Sequence, residues 1–201
     1  MKKMNLPNKI TIARIILSII VLIMMAFPFY QVGFEFPTYL VGGKVEVSLK
    51  YIICAVLFII ASTTDFLDGH IARKYNMVTD FGKVMDAIAD KILVNGILII
   101  LAVDGFIPVI IPVIIITRDT FVDSIKMVAG QSGHAVGASK AGKIKTVCMM
   151  IGVSLILLYN LPFELIGINV ALGLIVIATI LSIVSGIQYY IKNKKALLKD
   201  M

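Results

Sequence analysis

Apolar and polar positions fall in long blocks along this chain. Six apolar runs stand out: Ile10–Phe29, Leu49–Thr64, Val84–Val103, Phe106–Val128, Ile144–Tyr159 and Leu165–Ile191. Each reaches or approaches the roughly 20 helical residues that cross the hydrocarbon of a bilayer. The second run is short, so its helix is predicted to continue past Asp65. Turn-forming pairs support the divisions: Phe36-Pro37 and Gly42-Gly43 before the second run, Asp104-Gly105 before the fourth, and Asn160-Leu161-Pro162 before the sixth. Residues 31–48 mix aromatics, a glycine pair and a Val-x-Val alternation, a pattern that assigns them no element. No internal repeat, low-complexity tract or soluble domain interrupts the series. The pattern predicts an all-α integral membrane protein with six transmembrane helices in a single domain over 1–201. Residues 1–9 form a tail, and residues 192–201 form a basic one.

Composition strengthens that picture. Hydrophobic residues make up 59% of the chain, charged residues 15%, and the mean hydropathy is +0.99. A soluble core of this length could not hide so much apolar surface. No small-residue cleavage site follows the first run and further spans do, so it is expected to be retained and not removed as a signal peptide. Cys54 and Cys148 lie inside apolar runs, away from any metal-binding or redox spacing, and are read as packing residues.

Charge sets the orientation. With the N-terminus cytoplasmic, only Lys44 and Lys50 of the 19 Lys and Arg residues fall on the outer side. The expected arrangement is multi-pass in the cell (plasma) membrane with both termini cytoplasmic. The net charge of +7 then reflects this bias and attraction to anionic membrane lipids, so nucleic acid is not an expected partner.

Four carboxylates stand at the cytoplasmic ends of the second and third helices. Asp65, Asp68, Gly69, Ala72 and Arg73 are spaced i, i+3, i+4, i+7, i+8, and Gly82, Asp86 and Asp90 are spaced i, i+4, i+8. Two helix faces thus bring two acids each to one place. Their mutual repulsion in a partly buried setting calls for cations. All-oxygen ligation points to a hard divalent ion, Mg²⁺ or Mn²⁺, and shared carboxylates suit a two-metal site acting on a phosphoryl group. Gly69 and Gly82 leave the space a nucleotide needs beside the acids.

The run Asp65-x-x-Asp68-Gly69-x-x-Ala72-Arg73, eight residues, then Gly82-x-x-x-Asp86-x-x-x-Asp90 resembles the full signature of the CDP-alcohol phosphotransferase family. The resemblance implies a six-helix, usually dimeric fold that displaces CMP from a CDP-linked donor with the hydroxyl of a second substrate. It implies that Asp65, Asp68 and Asp86 ligate metal and that Asp90 is the general base and also a metal ligand. Gly69, Ala72, Arg73 and Gly82 are implied to line the CDP pocket. His70, at a variable position of the signature, and His134 are given no role.

The second substrate is addressed by other residues. Arg118, Asp119 and Asp123 lie deep in the fourth run, where charge is costly unless it meets a partner or a polar cavity. Arg118 is expected to meet an anionic group of the acceptor. Ser139, Lys143 and Thr146 open the fifth helix on one face, and a helix start with lysines suits phosphate. The run Asn5 to Arg14 and the run Ser139-x-x-Gly142-Lys143-x-Lys145-Thr146 are similar to the branch of the family that joins CDP-diacylglycerol to glycerol 3-phosphate. On that likeness Asn8, Thr11 and Arg14 contact the donor, and Arg118, Ser139 and Lys143 bind the acceptor phosphate. The reading keeps two rivals: the same chemistry on an inositol phosphate, serine or phosphatidylglycerol, and a divalent-cation transporter. Acids clustered at one membrane face, not near the midplane, argue against transport.

Overall fold

The structure, a computed structural model, describes residues 5–75, 79–131 and 139–197. Six helices dominate it: α1 (Leu6–Ala26), α2 (Leu49–Lys74), α3 (Asp80–Val103), α4 (Ile110–Gln131), α5 (Lys140–Leu157) and α6 (Val170–Leu197). Helix α1 starts four residues earlier than its apolar run because Pro7 sits in the first turn, where its missing N–H costs nothing. It stops at Ala26, just ahead of Pro28, since the residue before a proline is pushed out of helical geometry. Helix α2 does run on past Asp65, to Lys74, so the first half of the acidic signature is helical. Helix α6 begins at Val170, later than its apolar run. The preceding Phe163–Ile166 forms a separate 3₁₀ turn that ends on Gly167 at φ 73.

Residues 31–48 hold a short antiparallel hairpin, β1 (Thr38–Val41) and β2 (Val45–Ser48), with Tyr39 opposite Val47. Gly42 and Gly43 both adopt positive φ at its tip, the backbone that a tight reversal requires. Strand β2 feeds directly into α2. The Ser48 amide donates to the Tyr159 hydroxyl (3.2 Å), and Tyr51 hydrogen-bonds Asp104. The rings of Tyr51, Phe106 and Tyr159 meet edge-on or tilted at 5.2–5.7 Å between centroids. This end of the bundle is therefore closed by an aromatic and hydrogen-bonded knot.

The core is built from Val21, Phe58, Ile97, Leu101, Ile115 and Leu157, all fully buried, with Val153 and Ile175 between α5 and α6. Helix α1 packs on α2 and α3, while α6 packs on α4 and α5, giving two three-helix halves that meet where α3 faces α4 and α2 faces α5. The outside is apolar on every helix: Ile23, Val56, Ile99, Val113, Val147 and Ile180 are 48–59% exposed. Such surface marks membrane association. Two helical stretches, Pro7–Ala26 and Val170–Lys194, are long and apolar enough by length and composition to cross a bilayer. Cys54 and Cys148 are free, and Cys54 is buried in the core, as packing residues should be.

Asn160 holds the connection between α5 and α6. It is buried at φ 55, donates to Glu164 Oε2 (2.9 Å) and the Ile168 carbonyl (2.7 Å), and accepts from the Ala171 amide (3.0 Å). Asn160→Ala strips all of these bonds and leaves the amide of the buried Ala171 without its acceptor. The expected cost is about 2–4 kcal/mol, read as a lowered unfolding midpoint in detergent micelles.

Candidate active site

At the opposite end from the hairpin, α1 carries a buried polar stripe. Asn8, Thr11, Arg14 and Ser18 recur every three to four residues on the face turned to α2 and α3, and none is more than 8% exposed. Arg14 is the centre of it. Its guanidinium pairs with Asp65 of α2 and, at 2.9 Å, with Asp86 of α3, and the Thr11 hydroxyl donates to the same Asp86 oxygen at 2.7 Å. A buried arginine without acids beside it would be strongly unfavourable, so this triad ties three helices together. Each of the two carboxylates remains 39% exposed, leaving it open on its outer side.

The start of α3 is set by Thr79, whose hydroxyl accepts from the Gly82 amide (3.0 Å) and donates to Asn8 Oδ1 (3.1 Å). The space beside Gly82 belongs to Asn8: a Cβ there would stand 2.7 Å from Asn8 Oδ1. Glycine at this position lets the first turn of α1 close onto α3, a reason the sequence did not disclose. Asp90, two turns on, is partly buried within electrostatic reach of Arg14 on one side and of Lys145 and Asp119 on the other.

That other side is a cavity of about 200 Å³ between α3, α4, α5 and α6. Asp90, Arg118, Asp119, Lys145, Thr146 and Tyr189 face it. Arg118 is anchored by the Ser182 carbonyl (3.0 Å) and the Ser185 hydroxyl (2.5 Å) of α6, and its Nη1 reaches Asp119 at 2.7 Å. Lys145 donates to both oxygens of Asp119, at 2.8 and 2.9 Å. Tyr189 lies beneath Arg118, 5.8 Å from ring centroid to guanidinium, and its hydroxyl accepts from the Ser139 amide (3.1 Å). At the rim Asp123 pairs with Lys91 and, at 4.0 Å, with Lys126.

The predicted residues divide as follows. Arg14, Thr11, Asp65 and Asp86 meet directly, with Asn8 and Gly82 packed beside them. Arg118 and Asp90 face one cavity. Ser139 caps α5 by accepting from the Gly142 amide (3.0 Å), which occupies its hydroxyl locally. Lys143 is exposed, whereas Lys145, two residues on and only 9% exposed, turns to the cavity. Gly69 lies in α2; Asp68, Ala72 and Arg73 also fall in α2, but their side chains are outside the described residues, as is His134. Sequence reasoning gave no role to Lys145, Tyr189, Thr79 or the α6 serines. The local signals for the first were its place in the Ser139-x-x-Gly142-Lys143-x-Lys145-Thr146 run and its i, i+4 spacing from Met149.

Among the described residues no three His, Cys, Asp or Glu side chains form a ready metal cluster. The donor chemistry nonetheless fits a hard divalent ion, since Asp65 and Asp86 come from two helices, offer only oxygen and already share one cation in Arg14.

Fold and site together define a helical, membrane-associated protein with carboxylates converging beside a basic cavity. A model of the CDP-alcohol phosphatidyltransferase family matches residues 4–184, and the chain belongs to that family. It is 44% identical over 193 residues to the CDP-diacylglycerol–glycerol-3-phosphate 3-phosphatidyltransferase of Bacillus subtilis, covering 96% of this chain and 97% of the relative. It is 34% identical over 192 residues to the protein of the same name from Rickettsia felis, covering 95% and 96%. Over 152 residues it is 33% identical to the Mycoplasma genitalium protein of that name, covering 75% of this chain and 64% of the relative.

The contact at Gly82 can be tested directly. Gly82→Ala should destabilise the fold by about 1–3 kcal/mol through overpacking against Asn8. Adding Asn8→Ala should return part of that loss, giving a non-additive cycle of unfolding midpoints.

Proposed function

We propose that the protein transfers the phosphatidyl group of CDP-diacylglycerol to glycerol 3-phosphate, forming phosphatidylglycerophosphate and releasing CMP for phospholipid synthesis. The relatives' shared name supports the reaction class and both substrates. The observation that carries the acceptor is the pair Arg118 and Lys145, two cations withdrawn from water in the cavity that Asp90 faces. Such a pair suits a phosphate, whereas serine would leave it without a phosphate to hold.

In this reading the acceptor phosphate binds Arg118 and Lys145, and Ser139 and Lys143 line its approach at the start of α5. Its hydroxyl is thereby directed at the donor phosphorus. Asp90 takes the hydroxyl proton as the new P–O bond forms and the bond to CMP breaks. Asn8, Thr11, Arg14, Gly69, Ala72, Arg73 and Gly82 form the donor side, with Arg73 directed at the diphosphate. Asp65, Asp68, Asp86 and Asp90 would hold two divalent ions, Mg²⁺ or Mn²⁺, which when bound neutralise charge developing on the diphosphate. The whole chain acts as one six-span domain in the cell membrane, with both termini and the active site cytoplasmic, and as a homodimer. The apolar exterior of all six helices and the placement of the basic residues support the six-span arrangement and its orientation.

CMP release by the purified protein in detergent, with CDP-diacylglycerol and Mg²⁺ or Mn²⁺, tests the proposal. Glycerol 3-phosphate should support release; inositol 1-phosphate, serine, phosphatidylglycerol and the no-acceptor control should not. Release with one of the others, and none with glycerol 3-phosphate, would overturn the acceptor assignment.

Two substitutions sharpen the roles. Arg118→Ala should raise the acceptor KM by roughly tenfold or more with the donor KM nearly unchanged. Asp86→Asn should abolish turnover and weaken Mn²⁺ binding, measured by calorimetry on the donor-free protein; normal activity in this variant would refute its place in the site.

A further inference from the structure

Asp119 lies between the two cations of the cavity. Arg118 and Asp119 are neighbours on α4, so their side chains leave the helix about 100° apart. Arg118 turns back to α6, where the Ser182 carbonyl and Ser185 hydroxyl fix its Nε and Nη2 and where Gly186 leaves it room: a Cβ there would stand 3.1 Å from Arg118 Cγ. Its remaining nitrogen reaches Asp119 Oδ1 at 2.7 Å. Lys145 arrives from α5 and uses both Asp119 oxygens. The three side chains are only 14%, 18% and 11% exposed, in the order Arg118, Asp119, Lys145.

Resting on the phosphorylated-acceptor reading, we infer that Asp119 is a positioning residue for acceptor binding, holding Arg118 and Lys145 in one preset geometry. Two cations this withdrawn from water repel each other, and without a carboxylate between them they would separate or draw in water. With Asp119 in place the trio carries a net charge of +1, so an arriving dianion still finds attraction, and it finds donors already oriented. A carboxylate repels phosphate, so Asp119 acts on the acceptor only through the cations it holds. Sequence pattern alone marked Asp119 as a buried charge; its two-sided contact makes it a spacer between α4 and α5.

The test is steady-state kinetics of Asp119→Asn and Asp119→Glu in the full-length protein, with inorganic phosphate as a competitor of glycerol 3-phosphate. Asp119→Asn should raise the acceptor KM and the phosphate Ki together by roughly tenfold, with kcat at saturating acceptor and the donor KM within about threefold of wild type. Asp119→Glu should bring both acceptor constants back to within about threefold, because it restores the charge. Lys145→Met should give the same acceptor-selective rise, and combining it with Asp119→Asn should add less than about threefold, since both changes break one unit. If Asp119→Asn does not fold, Asp119→Ser, which also removes the charge, is read by the same constants. An unchanged acceptor KM and phosphate Ki in folded Asp119→Asn and Lys145→Met would overturn the inference, as would kcat and both KM values changing in parallel. A wild-type enzyme active on glycerol 3-phosphate with unresponsive variants sinks this inference alone. A wild-type enzyme that ignores glycerol 3-phosphate sinks the acceptor reading first, and this inference with it.

Discussion

A buried arginine between two acids is the constraint on which the rest of the structure turns. Arg14 is 3% exposed, so its charge must be met inside the protein, and among the described residues Asp65 and Asp86 pair with it directly. Satisfying that demand fixes the rotation of α1, because Asn8, Thr11 and Ser18 must lie on the same buried stripe, and Val21 and Met25 continue that face into the apolar core. It also fixes the separation of α2 and α3 at the end where their acids emerge. The polar site and the hydrophobic packing are thus one problem with one solution: the helix register that pairs Arg14 also buries Val21.

The second half of the molecule solves a related problem differently. There the costly charges sit on α4 and α5, and α6 supplies neutral support from the Ser182 carbonyl, the Ser185 hydroxyl and the space left at Gly186. Tyr189 contributes its ring to Arg118 and its hydroxyl to the start of α5. Asp90 stands at the seam, sensing Arg14 from one half and Lys145 and Asp119 from the other. The aromatic knot of Tyr51, Phe106 and Tyr159 closes the far end of the same seam.

Much of this could be read from the chain. Six apolar runs gave six helices, and the short second run correctly implied a helix extending beyond Asp65. The spacing of the acids placed Asp65 and Asp86 on facing surfaces, because i, i+4 geometry is local and needs no tertiary information. Helix ends moved where a local rule competed with hydropathy, as Pro7 and Pro28 did for α1 and Gly167 did ahead of α6. The hairpin was hidden because strands of four residues are too short for alternation to stand out from an aromatic loop. Lys145, not Lys143, faces the cavity because two residues turn a helix through about 200°, and only packing against α6 decides which face looks inward. The supports of Arg118 were illegible for another reason: Ser182, Ser185 and Gly186 lie more than sixty positions away and carry no chemical signature of their own.

The partition into two three-helix halves has an evolutionary meaning. In the proposed reading the donor side is encoded in the first half of the chain and the cations that hold the attacking alcohol in the second, with few contacts bridging the halves. On that reading, substitutions in α4 to α6 would remodel the alcohol pocket while the acid signature stays intact. Heredity can therefore keep one reaction and diversify its products, as though the gene carried a fixed tool and an interchangeable vice.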